Sequence, residues 1–382
     1  MPLNRKIGGY ITANPVVLTG PSQIGVADGV WTLSQQLQYV SEGVWPTQGA
    51  LSQFIAVAHT TSPFVSAYPW SGSGFGTKFA NPATLPTDPG RSVAFAPAGN
   101  AIAVAHQNTP YINAYPWSLS GFGTKFTDPA TLPTGTARGV AFAPAGNAIA
   151  VSHNGTPYIT AYPWSGSGFG TKFANPATIP GVGDGNGVAF SPSSNAIAVA
   201  HGGTPFISVY PWSGSGFGVR FANPATLPSD PTNGVAFSPA GNAIAVAHQS
   251  TPFINAYPWS GSGFGTKFTN PATLPTGAGS SVAFSPSGNA IAVGHQTTPF
   301  VTAYPWSGSG FGTKFANPAT LPVATEVTDV AFSPLGNAIA ATHNGTPYVS
   351  VYQWSDSGFG AKFADPVTLP TGTGDGVAFG QI

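Results

Sequence analysis

All seven histidines of this sequence end the same kind of phrase, in which alanine alternates with larger aliphatic residues, as in AIAVAH at 101–106. Histidine ligates metals, transfers protons and donates hydrogen bonds, so a recurring histidine is the first candidate for chemistry. The seven are His59, His106, His153, His201, His248, His295 and His343. Consecutive histidines are 47 or 48 residues apart, which indicates seven copies of one structural unit.

A metal ion shared between these histidines is excluded by distance. At the second strand of a seven-fold ring, the histidines would lie about 12 Å from the axis and about 10 Å from one another. A metal such as zinc needs nitrogen ligands at about 2.0–2.1 Å. No nucleophile or carboxylate recurs beside the histidine either, so no catalytic residue, metal or cofactor is predicted. A structural role for the histidines is favoured, and contact with a ligand is the alternative.

A tryptophan recurs with the same spacing, usually in the phrase AYPWS. The seven copies are Trp70, Trp117, Trp164, Trp212, Trp259, Trp306 and Trp354. Repeated aromatic side chains can stack on sugars, so these residues join the histidines as candidate ligand-binding residues. Each tryptophan also ends a predicted strand beside a Gly-rich loop, and this position favours packing between units over sugar binding.

Composition limits the possible partners. Only 6 % of the residues are charged and the formal net charge is zero, so we expect no nucleic acid and no membrane insertion. The N-terminal sequence has no continuous apolar region and is a poor signal peptide. The chain has no cysteine, so disulfides and thiolate sites are excluded.

The 50 glycines and 39 prolines recur at fixed places in each unit, as turn residues do. Between them, four short strands are predicted, represented by VAFSP, AIAVAH, PYINAYPW and GTKFANPAT. The second strand is apolar on both faces, with small residues on one side and larger ones on the other. Four strands per 47 residues, sandwiched between neighbours, predict an all-β, seven-bladed β-propeller over residues 51–382.

The two ends of the repeat region complement each other. The first unit begins at its second strand, in LSQFIAVAH, whereas GVAFGQI at 376–382 is a first strand with nothing after it. We therefore expect the C-terminal strand to pair with the N-terminal blade and close the ring. The phrase VAFSPSGNAIAV at 282–293 resembles the first two strands of a WD-repeat blade. The Trp-Asp pair of that family is replaced by Tyr-Pro-Trp, so the resemblance does not imply the family's hydrogen-bonded tetrad.

Residues 1–50 lie outside the repeat. Leu33, Leu37 and Val40 fall on one face of a predicted short helix, which follows Thr32 as its cap. The strings GGYITANPVV and GVWTLSQQLQYVSEGVWP resemble the leading segment of structural proteins in tailed-phage virions. This resemblance implies an anchoring or adaptor segment that holds the propeller in a particle.

The sequence thus predicts a non-enzymatic bacteriophage virion protein whose propeller is a capsid or tail decoration or a host-adsorption module. The implied location is the virion, and the implied partners are other virion proteins, through residues 1–50, and host surface glycans; a homo-oligomer is left open. The first alternative is a soluble multivalent lectin with sugars between blades. The weaker alternative is an enzyme at the axial channel. It is disfavoured because seven like units should give a symmetric channel mouth, although Asp184, Asp230, Glu326 and Asp329 break the symmetry.

Overall fold

The structure is a computed structural model that describes residues 5–7, 9–11 and 51–382. The chain divides into two compact units, Met1–Leu51 and Ser52–Ile382. Within the described residues, no helix is long and apolar enough to cross a membrane.

In the first unit, strands β1 (Arg5–Ile7) and β2 (Gly9–Ile11) form an antiparallel hairpin. The predicted helix with Leu33, Leu37 and Val40 lies outside the described residues.

The second unit consists of seven antiparallel sheets of four strands each, arranged as a seven-bladed propeller. The innermost strands are β6 (Gly90–Phe95), β10 (Ala137–Phe142), β14 (Gly185–Phe190), β18 (Thr232–Phe237), β22 (Gly279–Phe284), β26 (Val327–Phe332) and β30 (Gly374–Gln381). The second strands are β3 (Gln53–His59), β7 (Ala101–His106), β11 (Ala148–His153), β15 (Ala196–His201), β19 (Ala243–His248), β23 (Ala290–His295) and β27 (Ala338–His343). The predicted propeller and its four-stranded blades are confirmed.

The outer half of each blade contains a long third strand and a short fourth strand. The third strands are β4 (Val65–Ser71), β8 (Ile112–Ser118), β12 (Ile159–Ser165), β16 (Ile207–Ser213), β20 (Ile254–Ser260), β24 (Val301–Ser307) and β28 (Val349–Ser355). The fourth strands are β5 (Gly74–Phe75), β9 (Gly121–Phe122), β13 (Gly168–Phe169), β17 (Gly216–Phe217), β21 (Gly263–Phe264), β25 (Gly310–Phe311) and β29 (Gly358–Lys362). Blade 1 is β30-β3-β4-β5, and blades 2 to 7 follow in chain order from β6.

The C-terminal strand closes the ring, as predicted. Strand β30 pairs antiparallel with β3, with Val377 opposite Val57. Beyond the strand ends, the backbone amides of Ser52 and Ile382 each donate to the other residue's carbonyl oxygen, at 3.1 and 3.0 Å. Blade 1 therefore combines strands from opposite ends of the propeller unit, and its innermost strand is paired rather than left as an open edge.

Small side chains of one blade pack against larger ones of the next. In one buried cluster, Ala56 and Ala58 of blade 1 contact the layer formed by Ile102 and Val104 of blade 2. All four side chains are buried, which explains why both faces of the second strand are apolar. Alanine on one face allows adjacent sheets to approach closely, and the branched residues then fill the space between them.

The fourth strand is shorter than the sequence predicted. In blades 1 to 6 it is a Gly-Phe pair, and the predicted segment GTKFANPAT is not a strand. The reason is a proline in the third strand, such as Pro69. Its carbonyl oxygen accepts a hydrogen bond from the amide of Gly76, but proline has no N–H to donate a second bond to the fourth strand. In blade 7, Gln353 replaces this proline, and β29 extends to Lys362.

Candidate functional site

The structure places the seven histidine side chains inside the propeller, where none is exposed to solvent. In five blades Nε2 lies 2.9–3.0 Å from a serine or threonine hydroxyl of the third strand, as between His153 and Thr160. Burial lowers the pKa of each histidine to about 4, because the protein interior disfavours the charged ring. A ligand could reach these rings only after the surrounding strands move, so their contact with a ligand stays a prediction.

The tryptophans are also buried, with 4–7 % of each residue exposed. Trp164 is typical, because three phenylalanine rings meet it edge-on: Phe126 of the preceding blade, and Phe142 and Phe169 of its own blade. The ring centroids are 5.0–5.3 Å apart, a favourable geometry for aromatic pairs. These contacts join neighbouring blades, and sugar binding by the tryptophans stays a prediction.

The seven innermost strands differ most in charge and polarity at the position two residues before the valine of each VAF phrase. We call these residues the inner ring. They are Arg91, Arg138, Asn186, Asn233, Ser280, Thr328 and Asp375. Five residue types occupy this position, whereas the VAF phrase that follows is identical in all seven copies, so the axial channel is lined by unlike groups.

Four members of the inner ring connect adjacent blades through a backbone carbonyl. Asn186 Nδ2 donates to the carbonyl oxygen of Thr232 at 2.9 Å, and Thr328 Oγ1 donates to that of Gly374 at 2.5 Å. Asn233 and Ser280 make the equivalent bond in their blades. These side chains therefore have a structural bond that holds them in place at the channel wall.

The two arginines and the aspartate of the inner ring form ion pairs instead. Arg91 donates to Oδ2 of Asp375 at 2.8 Å, across the boundary between blades 2 and 1. Arg138 donates to Asp184, a loop residue before β14, at 2.5 Å. Burial raises the pKa of Asp375; Arg91 opposes this change, and the nearby carboxylate of Glu326 adds to it. One arc of the ring thus contains a partly buried carboxylate and two guanidinium groups.

Asp329, one residue farther along β26 than the inner ring, joins three blades. Its carboxylate accepts from Ser281 Oγ of blade 6 at 2.5 Å, from its own blade's Val330 amide at 2.9 Å and from the Val377 amide of blade 1 at 3.0 Å. Desolvation in the channel wall raises the pKa of Asp329 to about 6, against the lowering effect of these three donors. With both oxygens engaged, Asp329 is a structural link rather than a free base.

A polar cavity of about 460 Å³ opens at this end of the axis. We call it the axial cavity. Six inner-ring residues, all except Ser280, line it, and Gln107, Thr136 and Asn154 add polar groups from the surrounding loops. A deeper cavity of about 290 Å³ continues between the innermost strands and is lined by the whole inner ring and Asp329. Both carboxylate and guanidinium groups therefore face a space large enough for a sugar-sized molecule.

Sequence reasoning missed Arg91, Arg138 and Asp375 because it looked for residues that repeat. The signal that could have found them is a position at which the repeated units differ. When the seven units are aligned on VAF, the inner-ring position is the one innermost-strand position with two arginines, two asparagines and an aspartate. Asp184 and Glu326, which the sequence did single out as breaks of symmetry, lie next to this arc.

No protein-family model matches this sequence, and no curated protein matches it. Among solved structures, a periplasmic gluconolactonase from Pseudomonas aeruginosa is similar, with a TM-score of 0.67 and 14 % identity over 86 % of this chain and 99 % of that chain. A putative 6-phosphogluconolactonase from Bacteroides fragilis has a TM-score of 0.67 and 12 % identity over 87 % and 99 %. A protein from Lactobacillus plantarum has a TM-score of 0.69 and 14 % identity over 86 % and 99 %.

These findings contradict the prediction of a non-enzymatic phage virion protein. The solved propellers that share the fold include a gluconolactonase and putative 6-phosphogluconolactonases, which are enzymes by name. The channel mouth is also not symmetric, contrary to the prediction that disfavoured an enzyme, because Arg91, Arg138 and Asp375 occupy equivalent positions in three blades. At 12–14 % identity, the comparisons establish the seven-bladed propeller fold alone, and the WD-repeat resemblance stays a prediction.

Proposed function

We propose that this protein is a hydrolase that opens sugar lactones in the axial cavity. The observation that carries the proposal is Asp375, a carboxylate with 11 % of its side chain exposed, oriented by Arg91 and lining a polar cavity. The names of two similar propellers, gluconolactonase and putative 6-phosphogluconolactonase, support this reaction class. The axial cavity is asymmetric, and its carboxylate and guanidinium groups can serve as an acid–base group and as anion-stabilising groups.

Asp375 acts as the general base in this proposal. Its Oδ2 is bonded to Arg91, which leaves Oδ1 to accept a proton from a water molecule. The water oxygen bonds to the lactone carbonyl carbon, and the carbonyl becomes a tetrahedral oxyanion. When that intermediate collapses, the bond to the ring oxygen breaks and Asp375 returns the proton to the leaving alkoxide. The product is the open-chain hydroxy acid. Burial raises the pKa of Asp375, which makes its carboxylate a stronger base than an ordinary aspartate.

Arg138 is the group best placed to stabilise the oxyanion. It lines the axial cavity, and 43 % of its side chain is exposed, so a substrate can reach the guanidinium beside its bond to Asp184. A positive charge at the developing oxyanion lowers the barrier of acyl transfer. The side chains of Gln107 and Asn154 supply amide groups that bind sugar hydroxyls.

The test measures δ-gluconolactone consumption by the full chain, with spontaneous hydrolysis subtracted. We expect turnover by the parent protein and a loss of about 100-fold or more in kcat for Asp375→Asn, because general-base catalysis contributes that much. Asn retains an acceptor for Arg91, so the variant should fold, which circular dichroism and thermal unfolding check.

Asp230→Asn is the matched control. Asp230 bonds to Ser250 in another loop and does not line the axial cavity. Its turnover should equal that of the parent protein. Absence of turnover above the spontaneous rate in the folded parent protein, or an unchanged kcat for Asp375→Asn, contradicts the proposal.

A further inference from the structure

The residues that line the axial cavity and its deeper continuation include equal numbers of basic and acidic side chains. Two basic side chains, Arg91 and Arg138, and two acidic ones, Asp329 and Asp375, line the axial cavity or its deeper continuation. No lysine is among the described residues that line either space. The walls alone therefore provide no excess of positive charge for an anionic substrate.

Two further carboxylates interact with residues of this lining. Asp184 is bonded to Arg138 at 2.5 Å, and Glu326 is close enough to Asp375 to raise its pKa. With these included, four carboxylates surround two guanidinium groups. The local potential is therefore negative, and in a cleft with protein walls such a potential acts strongly on a charged ligand.

Both guanidinium groups are already paired. Arg91 is bonded to Asp375 and Arg138 to Asp184, each through a short charge-assisted bond. A phosphate group that binds either guanidinium would therefore lie beside the carboxylate already bonded to it, Asp375 or Asp184. Repulsion between these negative charges offsets part of the attraction of the guanidinium group.

We propose that the axial cavity selects uncharged polyhydroxy lactones and discriminates against phosphorylated ones. This inference rests on the proposed lactone hydrolysis and names its substrate class. The hydroxyls of a neutral sugar lactone match the side-chain amides and hydroxyls of the wall, Gln107, Thr136 and Asn154, and require no change in the ion pairs. A phosphoryl group adds up to two negative charges where carboxylates already prevail.

The experiment compares kcat/KM for δ-gluconolactone and its 6-phosphate, with spontaneous hydrolysis subtracted, at several ionic strengths. We expect a preference of at least about tenfold for the unphosphorylated lactone at low salt, and a smaller preference at high salt as screening weakens the repulsion. An equal or greater kcat/KM for the 6-phosphate would overturn this inference and leave the lactonase proposal standing. No turnover of either substrate would overturn both.

A charge-removing variant tests the physical cause. Asp184→Asn removes one carboxylate and weakens the hold on Arg138, so the ratio of the two kcat/KM values should shift at least about threefold toward the 6-phosphate at low salt. Asp230→Asn removes the same charge from a loop that does not line the cavity and should leave the ratio unchanged. An unchanged ratio in Asp184→Asn, or an equal shift in both variants, contradicts the electrostatic origin.

Discussion

At the scale of single residues, Asp375 is the inner-ring member that cannot make the bond found in four other blades. Asn186, Asn233, Ser280 and Thr328 each donate to a backbone carbonyl of the following blade. A carboxylate has no hydrogen to donate, so the boundary at Asp375 is bridged by Arg91 from the other side. The Arg91–Asp375 ion pair therefore replaces the side-chain to carbonyl hydrogen bond at this boundary between blades, and it also places two charged groups at the axial cavity.

This arrangement predicts how the activity depends on pH. Lactone hydrolysis should decline as the pH falls, because the base Asp375 becomes protonated, and the decline should begin above the pH range of an ordinary aspartate. Arg91 lowers the pKa of Asp375, so in Arg91→Gln the acid limb of kcat/KM should move to higher pH. The measurement is the pH profile of kcat/KM between pH 5 and pH 9, corrected for spontaneous hydrolysis.

Arg138→Gln provides the comparison for that profile. Arg138 is bonded to Asp184 and not to Asp375, so its loss should reduce the rate without moving the acid limb. An acid limb that stays in place in Arg91→Gln would show that Arg91 does not position or tune the base.

At the scale of elements, one residue decides the length of the fourth strand. Third-strand proline limits it to two residues in six blades, and Gln353 allows five residues in β29, with Tyr352 opposite Lys362. Gln353→Pro should therefore shorten β29 and reduce the free energy of unfolding by about 0.5–1.5 kcal/mol, the usual contribution of one hydrogen bond. Hydrogen exchange of residues 360–362 should become faster, although the variant should fold because the other blades already contain the proline.

Gln353→Ala separates the backbone from the side chain in this experiment. Alanine keeps the N–H, so exchange at residues 360–362 should stay slow. Equal loss of protection in both variants would mean that the glutamine side chain, and not its N–H, extends β29.

These elements also show how far prediction from the sequence reaches. The blades and their closure were predictable because strand identity depends on local alternation and on turn residues, which AIAVAH and GVAFGQI display directly. The fourth strand was mispredicted because the limiting residue, such as Pro69, lies in a neighbouring strand rather than in GTKFANPAT itself. The site was missed because Arg91 and Asp375, 284 residues apart, meet only when the ring closes.

At the scale of the whole molecule, the seven buried histidines make stability depend steeply on pH. Each has a pKa of about 4 in the folded protein and about 6.5 when unfolded. Between these values the unfolded chain binds protons that the folded chain does not, so stability is fully present above pH 6.5 and falls as the pH decreases toward 4. Asp329, with its pKa raised to about 6, and Asp375, whose pKa burial also raises, have the opposite effect, but they are two groups against seven.

The expected result is cooperative acid unfolding of the propeller well above the pH at which carboxylates alone would cause it. Each histidine contributes up to about 1.4 kcal/mol per pH unit to the slope of the unfolding free energy. His295→Gln removes one such group, whose Nε2 lies 2.9 Å from Thr302, and should lower the slope between pH 4.5 and 6 by up to that amount. Urea unfolding at several pH values measures both slopes. A His295→Gln slope equal to that of the parent protein would mean that His295 is protonated in the folded state, and the propeller interior would then have to accommodate a charged ring.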